Sequence, residues 1–224
     1  MKITYLGQAG LLFEKDGFKI MIDPYLSDSV EKINPDNYRR VAVDESFFQV
    51  KPDIMIFTHN HLDHYDPETA EKFITHDSRI TVLSPQSVWR EVRKFGGKNN
   101  YVLFNRHTQW SQNGFTFVAV KAEHSDETAI GIIIDDGEKK YYITGDTLYN
   151  TEIFEDIPDD IYALFLPVNG VGNNLNMDDA KRFCRKVNPK FVVPIHCGMF
   201  DSMDVNDLDC ENKIVLKAYE KINF

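Results

Sequence analysis

The chain has 224 residues, of which 42% are hydrophobic and 27% charged; this is globular composition, too apolar for a disordered chain and long enough to bury a core as a single domain over 1–224. A formal net charge of −10 repels nucleic-acid phosphates and anionic membranes. The expected partner is therefore a small-molecule substrate, with no nucleic acid and no membrane, and a homo-oligomer is left open.

The first third reads as strands. Ile3–Leu6, Leu11–Glu14 and Phe18–Ile22 are short apolar or alternating runs, and Asp16-Gly17 between the last two is a hairpin signal. No apolar leader and no 18-residue apolar stretch is present, so a cytoplasmic location is expected. After Asp23-Pro24 the segment from Tyr25 to Lys51 is polar and aperiodic, a length that usually serves function. Asp53–Phe57 reads as a buried strand, followed by helical Pro67–Thr75, strand Ile80–Leu83 and helical Gln86–Phe95. Phe115–Val120, Ala129–Asp135, Lys140–Thr144, Ile161–Leu166 and Lys190–Pro194 are further strands, with a helix over Met177–Val187 and a terminal helix over Asp207–Ile222. The pattern predicts two mixed sheets packed face to face with helices outside. Cys184, Cys197 and Cys210 are odd in number and lack CxxC spacing, which excludes a disulfide scaffold.

Directly after the strand Asp53–Phe57 comes Thr58-His59-Asn60-His61-Leu62-Asp63-His64. Four metal-type side chains in six residues, at a strand end where a loop begins, can converge without disturbing a core. Imidazole and carboxylate suit zinc, manganese or iron. His124, Asp146 and His196 each follow an apolar strand closely, the placement that a shared site along one sheet edge requires. His76 and His107 do not fit and read as surface residues.

The set His59, His61, Asp63, His64, His124, Asp146 and His196 resembles the metallo-β-lactamase superfamily of binuclear hydrolases, in ligand order and over nearly the whole chain. The resemblance implies an α+β fold, an αβ/βα sandwich of two mixed β-sheets with helices on the outer faces, and two divalent metal ions. Zinc or manganese come first and ferrous iron behind them. It implies that His59, His61 and His124 hold one metal, that Asp63, His64 and His196 hold the other, and that Asp146 bridges them. Asp23 would support the ligands from behind, where a plain turn before Pro24 is the alternative.

Tyr5-Leu6-Gly7-Gln8-Ala9-Gly10-Leu11-Leu12-Phe13, Ile20-Met21-Ile22-Asp23-Pro24-Tyr25-Leu26-Ser27, Leu62-Asp63-His64-Tyr65-Asp66-Pro67-Glu68-Thr69 and Pro167-Val168-Asn169-Gly170 with Asn176-Met177 narrow the resemblance to the L-ascorbate-6-phosphate lactonase group. Flavodiiron oxidoreductases resemble this architecture but place Glu where His61 stands, which disfavours redox chemistry. The expected activity is hydrolysis of a lactone on a small phosphorylated or acidic carbohydrate; the alternative is a phosphodiesterase or thioesterase on the same site. Asp63 and Asp146 are the expected catalytic carboxylates, Asp63 as ligand and proton carrier. Arg39 and Arg40 could clamp a phosphate bidentately or be solvated among Asp36, Asp44 and Glu45. Asn169, Asn173 and Asn176 could bind sugar hydroxyls or belong to a plain loop.

Overall fold

The computed structural model describes residues 1–224. The strands are β1 (Lys2–Gly7), β2 (Gly10–Lys15), β3 (Phe18–Ile22), β4 (Ile54–Ile56), β5 (Thr81–Ser84), β6 (Asn100–Leu103), β7 (Gln109–Gln112), β8 (Phe115–Lys121), β9 (Ile130–Asp135), β10 (Lys140–Ile143), β11 (Ile161–Pro167), β12 (Phe191–Ile195) and β13 (Lys221–Asn223). The helices are α1 (Ser29–Ile33), α2 (Pro67–Phe73), α3 (Gln86–Val92) and α4 (Met177–Val187). Two mixed sheets with few helices make the class α+β, as the sequence predicts. No helix is long and apolar enough to cross a membrane.

The chain forms two compact units, each with one sheet. The first takes Met1–Leu103, Gly198–Ser202 and Leu216–Phe224, and its strand order is β13-β1-β2-β3-β4-β5-β6. β1, β2 and β3 form an antiparallel meander, while β3 to β6 run parallel through helical crossovers. Asp16 and Gly17 turn the second hairpin with φ of 53° and 84°, the double left-handed geometry that an Asp-Gly pair supplies. Phe73 of α2 and Val88 and Val92 of α3 bury against Met55 and Val82 of the sheet. The helices thus cover one sheet face with a continuous apolar layer.

The long segment after β3 is ordered by its own side chains. Asp44 caps a 3₁₀ turn over Glu45–Gln49, which buries Phe47 in a stack on Tyr219 with ring centroids 5.4 Å apart. Arg39 pins the segment from three sides. It donates to the Tyr25 carbonyl at 2.6 Å, the Val41 carbonyl at 3.2 Å and the Tyr219 hydroxyl at 3.2 Å.

The second unit takes Phe104–Cys197 and Met203–Val215, with strand order β12-β11-β10-β9-β8-β7. β7 to β10 are antiparallel, and β10, β11 and β12 are parallel. α4 starts where Asn176 accepts the Asp179 N–H at 2.9 Å and stops at Asn188 in the left-handed conformation. Asp178 and Asp179 in its first turn and Arg185 and Lys186 in its last complement the helix dipole. Ala180, Phe183, Cys184 and Val187 recur every three or four residues and bury against Tyr142, Leu164 and Val192.

Several elements depart from the sequence reading, among them α1, one short turn of helix inside the segment read as aperiodic. The terminal helix over Asp207–Ile222 does not form. A 3₁₀ turn covers Val205–Asp207 and the chain then runs irregularly into β13, which pairs with β1. Pairing three residues on an open sheet edge satisfies backbone groups that a helix with no apolar stripe would leave without tertiary support. β6 and β7 were not expected as strands. Both are short edge strands: β7 is polar apart from Trp110, and β6, although Tyr101, Val102 and Leu103 are apolar, is only four residues long and half exposed, so neither shows the buried apolar run of the central strands.

Candidate metal centre

In the first unit the topology brings two chain positions together at one sheet edge. β3 and β4 are parallel with Ile22 beside Ile56, so Asp23 and Thr58 emerge at the same end. The Asp23 N–H donates to the Ile56 carbonyl at 3.0 Å, and its backbone turns with φ of 41°, a strained value for a residue with a Cβ. The Asp23 carboxylate is buried. Oδ1 accepts the Thr58 N–H at 2.8 Å, and Oδ2 accepts the Thr58 hydroxyl and His64 Nδ1–H, the latter at 2.8 Å.

The hydroxyl of Thr58 has one proton, given to Asp23, so at 3.1 Å it accepts from Nδ1 of His59. Asp23 and Thr58 thereby set both buried imidazoles, His59 and His64, with the proton on Nδ1 and the lone pair on Nε2. That is the form in which imidazole ligates a metal through Nε2.

The loop that carries these rings is compact. The His61 carbonyl accepts the N–H of His64 at 3.0 Å and of Tyr65 at 2.8 Å. Asp66 then ends the loop by capping α2 at the N–H groups of Glu68 and Thr69, with Pro67 at the first helical position. His59 and His61 offer ligand atoms within 4.8 Å of each other, as do Asp63 and His64. Gln8 is buried with φ of 52° and donates its amide to Asp63 Oδ2 at 2.7 Å, which fixes the carboxylate rotamer. Gly7 beside it has φ of 93°, and a Cβ there would collide with Met199.

In the second unit β8, β10, β11 and β12 all point the same way, so the segments after them share an edge. These segments carry His124, Asp146, Asn169 and His196. Asn174 holds Asp146: its amide donates to Oδ2 at 2.8 Å while its own oxygen accepts the Thr147 N–H at 3.1 Å. His124 Nδ1 donates to the Asn173 carbonyl at 3.2 Å, which leaves its lone pair on Nε2.

Asp146 stands between the two rings. Its ligand atom lies within 4.8 Å of that of His124, and Oδ2 is 3.2 Å from His196 Nε2. His196 takes the opposite tautomer to His59, His64 and His124. The Asn169 amide nitrogen faces its Nδ1 at 3.1 Å, so the proton sits on Nε2 and points at Asp146. Ligation through Nε2 displaces that proton, and reversing the Asn169 amide supplies the acceptor that Nδ1–H then needs. The backbone of His196 is also left-handed, with φ of 58°.

Not every expected residue reaches a ligand set. Arg39 is engaged with the two carbonyls and the Tyr219 hydroxyl, whereas Arg40 is exposed and packs over Tyr38. Asn176 is the cap of α4, a use that Asn ahead of Asp179 makes legible. Asn173 contributes its carbonyl to His124, with its side chain exposed. His76 and His107 are exposed, and His107 contacts Asp156 at 3.1 Å. Gln8, Thr58 and Asn174 hold expected ligands without having been singled out as site residues; Asn174 lies in the Gly-Asn loop the sequence marks, and Gln8 lies in the turn of the Tyr5–Phe13 motif, where the resemblance marks the segment but not the residue's role.

The donors are imidazole nitrogens and carboxylate oxygens, a set that fits divalent zinc, manganese or iron. Residues 2–196 match the family model described as β-lactamase superfamily domain. A UPF0173 metal-dependent hydrolase of Carboxydothermus hydrogenoformans is 30% identical over 239 residues, covering 100% of this chain and 97% of that protein. The chain belongs to the metallo-β-lactamase superfamily, in its UPF0173 metal-dependent hydrolase family. Another UPF0173 metal-dependent hydrolase, of Aeropyrum pernix, is 26% identical over 216 residues, with 89% of this chain and 83% of that protein covered. The solved structure of Igni18, a metallo hydrolase from Ignicoccus hospitalis, superposes with a TM-score of 0.80 at 21% identity, covering 100% of this chain and 97% of the other. The fold is thus the metallo-β-lactamase fold, and the protein is a metal-dependent hydrolase.

Proposed function

We propose that the two units act as one domain holding two divalent metals, zinc or manganese, and that the enzyme hydrolyses a lactone of a small phosphorylated or acidic carbohydrate. One ligand set would be His59, His61 and His124 with Asp146, the other Asp63, His64 and His196, and Asp146 would be common to both through its approach to His196. The observation that carries the metal reading is the tautomer control in the first unit. Asp23 and Thr58 spend buried hydrogen bonds to present His59 and His64 as Nε2 ligands, an arrangement that packing alone does not require. The position of Asp146 between His124 and His196 supports the bridging role.

A pair of such cations, when bound, lowers the pKa of water toward neutrality and polarises a scissile carbonyl. The chain's own residues do the rest. Gln8 fixes Asp63 through Oδ2, so this carboxylate is held in one orientation to take a proton and return it to the leaving oxygen. Asn174 fixes Asp146 in the same way. Arg40, exposed beside Tyr38, is the cation offered to a substrate phosphate or carboxylate.

The test is metal-stripped protein reloaded with zinc or manganese and screened against lactones, phosphodiesters and thioesters. Turnover highest on phosphorylated or acidic sugar lactones is expected. Phosphodiester or thioester turnover exceeding that of every lactone overturns the lactonase reading and leaves the hydrolase.

A further inference from the structure

All three cysteines lie in the second unit, and two of them share one cavity and one apolar cluster. Cys184 is on the buried face of α4, Cys210 follows the 3₁₀ turn at Val205–Asp207, and both line one cavity of about 360 Å³. Both pack at the apolar cluster of Phe183, Val187, Val192 and Leu208, and the two thiols are near enough to shift one another's ionisation. The backbone is tied down on both sides. The Asn188 N–H at the end of α4 donates to the Cys184 carbonyl at 2.8 Å, and the Cys210 N–H donates to the Leu208 carbonyl at 3.1 Å. The strand beneath them bonds to the same segment, with Val192 N–H to Asn212 at 3.1 Å and Ile214 N–H to Val192 at 2.8 Å. Lys181 of α4 is ion-paired with Asp209, which closes the same gap.

The pair is chemically unequal. The interaction between them pushes the Cys184 thiol up and draws the Cys210 thiol down; burial also raises Cys184. Burial and Asp209 oppose the lowering of Cys210, while Lys213 and Lys181 favour it. The Lys213 ammonium is fixed in place by the carbonyls of Val205, Asn206 and Leu208, at 3.2, 2.9 and 2.6 Å. Cys210 is partly open to solvent, whereas Cys184 is buried behind it. A partly accessible thiol drawn below its ordinary range and backed by a second thiol is the arrangement of a redox-sensing pair.

We propose that Cys184 and Cys210 are a reversible dithiol–disulfide site, oxidised by a hydroperoxide, whose closure ties α4 to the Val205–Ile214 segment. The Cys210 sulfur attacks the outer peroxide oxygen, the O–O bond breaks, and the alcohol, or water from hydrogen peroxide, leaves with a proton. Cys210 is then a sulfenic acid. The Cys184 sulfur gives up its proton and bonds to the Cys210 sulfur, and the displaced hydroxide takes that proton as water. Two thiols and one hydroperoxide become one disulfide, one alcohol and one water, the two sulfurs supplying the two electrons. The disulfide braces the element that follows the Asn169–Asn176 loop against the segment bonded to β12, so the unit carrying Asp146 and His196 unfolds less readily when oxidised.

The test treats the whole protein with one equivalent of hydrogen peroxide and maps peptides without reduction. A Cys184–Cys210 linkage with loss of two hydrogens is expected, reversed by dithiothreitol, together with a melting temperature raised by at least about 5 °C. In Cys184→Ala the oxidation stops at Cys210 and dimedone traps its sulfenic acid; in Cys210→Ser, Cys184 stays reduced. Finding both thiols still open to alkylation in the unfolded protein, or Cys210 linked instead to Cys197 or to a second chain, overturns the proposal. The map on the wild-type protein decides this even if a variant fails to fold.

Discussion

The two units supply their ligands in contrasting ways. The first would deliver four from one short loop, His59 to His64, of which a buried carboxylate and hydroxyl prepare His59 and His64 while the Gln8 amide holds Asp63. The second gathers three from the ends of three different strands and steadies them with neutral amides and a backbone carbonyl, from Asn169, Asn174 and Asn173. The difference is electrostatic. Asp23 is an anion that only accepts, so it dictates one tautomer for His64 and, through Thr58, for His59. Asn169 can present either end of its amide, so His196, whose proton lies toward Asp146, would change state on ligating a metal. In the proposed site the first half is preorganised, and in the second His196 is the ligand that adapts, His124 and Asp146 being held by Asn173 and Asn174.

The largest expected effect tests the adaptable side. In Asp146→Asn the shape is kept but the anion that separates two cations is gone. Turnover should fall about a thousandfold or more, with one metal lost per chain, while the metal-free form melts as the wild type does. Metal analysis, steady-state rates and melting of both apo proteins check this together.

Next comes the tautomer contrast itself. Asp23→Asn places an amide nitrogen toward His64 or Thr58 and reverses the proton order, so metal affinity should weaken about 10- to 100-fold in a chelator competition. Asn169→Asp does the opposite for His196, favouring Nδ1–H, and should strengthen binding several-fold. Equal losses from both substitutions would remove the distinction between the half-sites.

A third test concerns what holds the second half-site's frame. Asp156 takes a bidentate pair from Arg106 at 2.7 and 2.9 Å, the Lys121 N–H at 2.8 Å and His107 at 3.1 Å. Burial alone would raise its pKa, but these donors, led by Arg106, hold it at about 2. A carboxyl lowered in the folded state contributes fully above its unfolded value of about 3.9, and the contribution is lost as the pH falls from there through about 2. Asp156→Ala should cost about 2 kcal/mol at neutral pH, with Arg106 partly solvated, and the gap to wild type should narrow below about pH 4. Denaturant melts at pH 7 and pH 3 measure it.

The smallest effect separates the two arginines. Arg40→Ala should weaken a phosphorylated substrate about tenfold relative to its dephosphorylated analogue. Arg39→Ala should instead lower the melting temperature, because its donors hold Tyr25, Val41 and Tyr219. A phosphate-dependent KM change in Arg39→Ala, with stability intact, would reverse that assignment.

The asymmetry also accounts for what could be read from the sequence. The ligands of the first unit are legible because they are contiguous and follow a strand of buried type, and those of the second because each closes an apolar strand. The central strands and α4, bounded at both ends as Met177–Val187, carried enough apolar periodicity to be placed. Hidden were contacts that join distant positions through topology, such as Gln8 to Asp63 and Asn174 to Asp146: both residues lie in stretches the sequence marks, but nothing local names the partner. The edge strands Gln109–Gln112 and Lys221–Asn223 were hidden because one bonded side and an exposed face leave little apolar pattern, and Asn100–Leu103 because its apolar run is only three residues long. Asp207–Ile222 misled because a polar run permits helix without requiring it.

The central claim is that a prepared half-site and an adaptable one together hold two metals. Metal-stripped protein saturated with zinc or manganese, freed of excess ion and analysed for metal per chain, tests it most directly. Two ions per chain are predicted, the second lost in Asp146→Asn. One ion per chain at saturation, with full hydrolytic turnover, would contradict it.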